Sequence, residues 1–167
     1  MTNQTKPRIF FVDKNYENYV QCIQLNKTQG FIVSCLRVRF DVDFTLNLDE
    51  SHIKAVERAM HNKKAYSAMV SHVPYQNNRL NNGLEGVDFY KDFYGRSLGI
   101  LKSIKAIQPG LPIVAYTGAD DIPEVHKVFL QEGPIDIIVH KTSPERWKED
   151  FRKIEEALEA LITSNKK

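Results

Sequence analysis

The segment Leu111-Pro112-Ile113-Val114-Ala115-Tyr116-Thr117-Gly118 limits the fold of this chain more than any other. About five apolar residues bracketed by proline and glycine read as a strand buried on both faces, the kind found in parallel sheets. Open α/β sheets place their chemistry at the carboxyl ends of such strands. Thr117 therefore puts a hydroxyl on a functional edge.

The remainder of the chain supplies alternating partners for that strand. Arg8 to Asp13 (RIFFVD) is a short apolar strand ending in a carboxylate. Asn15 can cap a helix that carries Tyr19, Cys22 and Ile23 on one face and closes before Gly30. From Phe31 to Leu46, Ile32, Leu36, Val38, Phe40, Val42 and Phe44 are interleaved with Arg and Asp, which predicts a long second strand with one wet face. Asp49 or Ser51 can cap a second helix through Ile53, Val56, Ala59 and Met60. Tyr66 to Val73 is the third strand, and the Asn-rich segment after Pro74 reads as a loop. Val87 to Ile107 is helical, with Gly95 and Gly99 as points where it can divide. Pro123 to Gln131 is a further helix, Ile135 to Val139 the fifth strand, and the Trp147, Phe151, Ile154, Leu158, Leu161 stripe a last amphipathic helix. This order predicts an α/β protein: a three-layer α/β/α sandwich around a five-stranded parallel sheet in flavodoxin-like order 2-1-3-4-5. One domain spans 1–167, with its core over about 7–162, an extended second strand and an inserted loop over about 74–95.

Composition narrows the function classes. The chain has 167 residues, is 42% hydrophobic and 26% charged, and carries a formal net charge of +2. Lys and Arg are spread along it, so neither nucleic acid nor a membrane surface is implied as a partner. Cys22 and Cys35 lie in apolar contexts without a CxxC pair and read as core residues in a reducing compartment. Met1 to Lys6 lacks the apolar run of a signal peptide, and the expected location is the cytoplasm.

With that order in place, the chain resembles the receiver domain of bacterial response regulators. RIFFVD is similar to the acidic end of the first receiver strand, and GLPIVAYTG to the fourth strand with its switch hydroxyl. EGPIDIIVHKTSPERW is similar to the fifth strand and the start of the last helix. The resemblance implies phosphoryl transfer to an aspartate at the end of strand three. Two acids at the end of strand one would hold magnesium, and a lysine after strand five and a hydroxyl after strand four would grip the phosphoryl oxygens.

Several of those positions carry the wrong chemistry here. Asp13 is followed by Lys14, and an ammonium beside a magnesium site opposes the metal. Strand three ends in His72, or in Ser71 after a one-residue slip, and neither can form an acyl phosphate. Thr117 keeps the hydroxyl. The lysine position falls on His140 or on the adjacent Lys141, only one of which can point inward. The aromatic switch of strand five is replaced by Ile137 or Ile138.

The expectation is a degenerate receiver: a stand-alone, non-enzymatic signalling module, with no cofactor and no metal, that acts by binding a protein. The partner would be a sensor, a downstream protein, or a second copy pairing along the long edge strand. The aromatic cluster Phe89, Tyr90, Phe93 and Tyr94 is a further docking surface. Two alternatives stand beside it. One is a phosphoaccepting regulator in which Asp88 or Glu85 replaces the missing acid. The other is a small metal-binding or enzymatic domain using Asp13, His72 and His140, a ligand set suited to zinc.

Overall fold

The computed structural model describes residues 4–15, 22–73, 86–118, 131 and 134–166. Five strands form one sheet in the order β2-β1-β3-β4-β5, and all pairs are parallel. The strands are β1 (Arg8–Asp13), β2 (Asp41–Leu46), β3 (Ala68–Ser71), β4 (Ile113–Thr117) and β5 (Ile137–His140). This is the predicted flavodoxin-like order. The described helices are α1 (Cys22–Leu36), α2 (Ser51–His61), α3 (Gly86–Ile107) and α4 (Trp147–Asn165), the last entered through a 3₁₀ turn at Pro144–Arg146.

The central strands are buried because both faces are covered. Odd-numbered residues of β1, Ile9 and Phe11, pack with Ile32, Val33 and Leu36 of α1 and with Ile154, Leu158 and Ile162 of α4. Phe10 and Val12 point the other way, onto Val56 of α2 and Leu101 and Ile104 of α3. Each fully buried aliphatic or aromatic side chain contributes about 1.5–3 kcal/mol relative to exposure. The Trp147 stripe behaves as expected: Ile154 and Leu158 are buried, and Trp147, Phe151 and Leu161 pack against that layer.

The extended second strand is corrected. Residues 31–36 belong to α1, which passes through Gly30, and β2 has only six residues. The β-branched run misled because Ile32 and Val33 also fit a helix: Gln29, Ile32, Val33 and Leu36 are its buried face, whereas Phe31 and Ser34 are not buried. The edge strand is also shielded. Asp41 N–H bonds the Pro7 carbonyl, so the peptide groups of Val42 face the open edge, and Arg37 Nη2 donates to the Val42 carbonyl at 3.4 Å. A short strand with an arginine on its outer carbonyl is poorly built for pairing with another copy.

The inserted loop is corrected in its second half. Residues 86–95 are the first turns of α3, which continues unbroken through Gly95 and Gly99. A glycine costs a helix only about 1 kcal/mol, which 22 residues absorb. The loop at 74–85, Glu85 among it, and the expected Pro123 helix up to residue 130 lie outside the described residues. So do the side chains of the aromatic cluster and of Asp88. No described helix is long and apolar enough to cross a membrane.

Candidate functional site

The carboxyl edge of the sheet brings together some of the expected residues and separates others. Asp13 ends β1 with its side chain 1% exposed. Lys141, one residue beyond β5, passes over the Tyr116 ring at 4.5 Å and places Nζ 2.8 Å from Asp13 Oδ1. The Lys14 N–H donates to the same oxygen at 2.7 Å. Periodicity explains why Lys141 and not His140 reaches Asp13. Asp13 follows Ile9 and Phe11 by steps of two, Lys141 follows Val139, and all three of those apolar residues face the α1–α4 layer. That alternation was a usable signal in the sequence.

His72 follows β3 and is buried. The Leu48 N–H donates to its Nε2 at 3.2 Å, so the ring proton resides on Nδ1. Burial lowers its pKa from 6.5 to about 4, against the pull of Asp13; Lys141, Lys14 and His52 lower it further. The imidazole is neutral at physiological pH. Asp13 Oδ2 and His72 Nδ1 are both buried and have no hydrogen-bond partner among the described residues. One is an acceptor and the other a donor, at the ends of adjacent strands paired as far as Val12 and Ser71.

The other positions do structural work. Ser71 is fully buried and its hydroxyl donates to the His72 carbonyl at 2.9 Å. The Thr117 hydroxyl donates to the Val73 carbonyl at 3.1 Å, tying β4 to the end of β3. Lys14 offers its carbonyl to Gln29 Nε2 at 2.6 Å, linking β1 to α1. His140 ends β5 opposite Thr117. The sheet order puts β4 between it and His72, roughly 10 Å of backbone separation. No three His, Cys, Asp or Glu side chains converge on a common point among the described residues. The Asp13, His72, His140 ligand set is therefore not assembled by the fold.

One residue of this region escaped the sequence reading. Asp150 of α4 is 1% exposed. It accepts from the Tyr116 hydroxyl at 2.6 Å, the Thr142 hydroxyl at 2.6 Å and the Thr142 N–H at 3.1 Å. This carboxylate fastens the β5–α4 connection that carries Lys141. In sequence it sits among Lys148, Glu149 and Arg152, where a solvated charge is the ordinary reading. A cavity of about 10 Å³ between Asp13, Gln29, Tyr116, Lys141, Thr142 and Asp150 is the size of one water molecule.

Among the described residues, the strand ends offer one carboxylate held by an ammonium, a neutral imidazole and two bonded hydroxyls. No carboxylate follows β3 before the undescribed residues begin at 74.

The fold is the sandwich of response-regulator receiver domains, as comparison with solved structures bears out. The response regulator domain of CheB from Thermotoga maritima aligns with TM-score 0.56 and 12% identity, covering 95% of this chain and 97% of that one. A response regulator receiver domain protein from Clostridium thermocellum aligns with TM-score 0.52 and 14% identity, covering 96% and 97%. A structure described as an adenylate cyclase from Rhodopirellula baltica aligns with TM-score 0.56 and 17% identity, covering 96% and 90%. At these identities the shared property is the fold. No family model matches the sequence, and no curated protein does.

Proposed function

We propose that this chain is a degenerate receiver that signals by binding a protein partner, without aspartyl phosphorylation and without enzymatic turnover. The observation that carries the reading is the Lys141 ammonium 2.8 Å from Asp13 while β3 leads into a buried, neutral His72. Phosphoryl transfer of the receiver kind needs an accepting carboxylate and a cation-binding pair of acids. Here the acceptor position holds imidazole and hydroxyl, the second acid is Lys14, and the surviving acid has an internal counter-ion. With the pocket committed to these contacts, what the fold offers a pathway is its surface, and the cytoplasm is the setting such a module requires.

Incubation of the protein with acetyl phosphate and magnesium, followed by intact-mass measurement, tests this. The expected spectrum is unchanged. A stoichiometric gain of one phosphoryl group, lost on substitution of Asp88 or Glu85, would establish the displaced-acid alternative in its place.

A further inference from the structure

At the end of the sheet opposite Asp13, a basin of about 680 Å³ opens beside the starts of β1 and β2. Its lining includes Lys6, Arg8, Arg37 and Lys64, with Asp41 the one carboxylate. These cations come from four separate stretches of a chain whose net charge is only +2.

Their charges are not equally available. The Arg8 guanidinium lies 2.6 Å from Asp43 Oδ2 and 3.5 Å from Asp41 Oδ2, and it covers the Tyr66 ring at 4.7 Å. The Tyr66 hydroxyl donates to the same Asp43 oxygen at 2.7 Å. Arg8 is thus neutralised and fixed. Lys6 Nζ donates to the Arg37 carbonyl at 2.9 Å, and Arg37 to the Val42 carbonyl. Those bonds orient the two side chains on neutral carbonyls. Lys6, Arg37 and Lys64 are exposed, and none is in an ion pair among the described residues, Asp41 of the same basin being paired with Arg8.

We infer that this basin binds an acidic segment of a partner protein. The inference rests on the reading above for the partner being a protein and adds the chemistry that would recognise it. A phosphate site converges several donors, backbone N–H groups among them, on one point. Here the cations border a basin far wider than a phosphate, so successive Asp or Glu side chains along one segment match them individually. Addition of a strand to β2 is opposed by Arg37 on the Val42 carbonyl, so side-chain charge, not backbone pairing, is the means of recognition.

Fluorescence anisotropy of labelled hexaglutamate with the full chain at low ionic strength tests this. Binding should weaken as salt is raised. The triple variant Lys6→Ser, Arg37→Ser, Lys64→Ser should bind roughly tenfold more weakly, the effect of losing three exposed charge pairs. A control with the same charge change on α4 and its C-cap (Arg152→Ser, Lys153→Ser, Lys166→Ser) should bind like the native chain. All six positions are exposed, and matching far-UV circular dichroism confirms that both variants fold. Three results would overturn the inference: no binding by the native chain, equal weakening in both variants, or tighter binding of tripolyphosphate through the same three residues. Each is separate from the acetyl phosphate result, so either reading can fail alone.

Discussion

Lys141 Nζ lies 2.8 Å from Asp13 Oδ1, joining the ends of two strands that β3 and β4 keep apart in the sheet. The carboxylate is buried and the ammonium largely so. In such a pair the loss of one partner costs more than the loss of both, because a lone buried charge remains. Lys141→Met should therefore destabilise the fold by about 3 kcal/mol. Asp13→Asn should cost less, since Lys141 can turn to solvent, and the double variant should be more stable than Lys141→Met alone. Urea unfolding of all four proteins checks the ordering; additive losses would show that the pair is not coupled.

The burial of neutral His72 makes stability depend on pH. Its folded pKa, about 4, lies below the unfolded value of 6.5. Above pH 6.5 the ring is neutral in both states and the unfolded chain gains nothing. As pH falls from 6.5 to 4 the unfolded chain takes up the proton first, and stability is lost, by on the order of 3 kcal/mol across that window. His72→Gln, whose carbonyl can still accept the Leu48 N–H, should flatten that part of the profile. Unfolding midpoints at pH 7 and pH 4.5 measure it; an equal slope in both proteins would place the titration elsewhere.

Asp150 gathers three hydrogen bonds in a buried site. Asp150→Ala would strand the Tyr116 hydroxyl and the Thr142 donors and should cost about 2–4 kcal/mol. Tyr116→Phe removes one donor while Asp150 still accepts from Thr142, and should cost about 1 kcal/mol. Thermal unfolding of the two variants gives the comparison, and a Tyr116→Phe loss equal to that of Asp150→Ala would contradict it.

Gly30 lies exposed inside α1, and a Cβ there would meet nothing within 4 Å. Gly30→Ala should therefore stabilise the protein by about 0.5–1 kcal/mol, raising its melting temperature by roughly 1–4 °C. A lower melting temperature would argue against a continuous helix from Cys22 to Leu36.

The same glycine marks where sequence patterning stopped being sufficient. Apolar strands such as Ile9–Val12 and Ile113–Ala115 were readable because burial on both faces leaves an uninterrupted run. The Phe31–Leu46 segment was not, because a helix face at 29, 32, 33 and 36 followed by a short strand imitates one long alternation. Asp13, Ser71 and Thr117 end β1, β3 and β4, and Lys14 follows Asp13. The partner of Asp13 could not be chosen between His140 and Lys141 until the face of β5 was known, although Val139 carried that information. Asp150 and the Lys6–Arg37–Lys64 basin lay beyond sequence reading for a different reason: their meaning depends on contacts between segments dozens of residues apart.

A counter-ion built into the chain cannot be dialysed, diluted or chelated away. The ammonium on Asp13 is tethered, so its local concentration is set by the fold and does not vary with supply. A divalent metal seeking that carboxylate must first displace a resident that never leaves the neighbourhood.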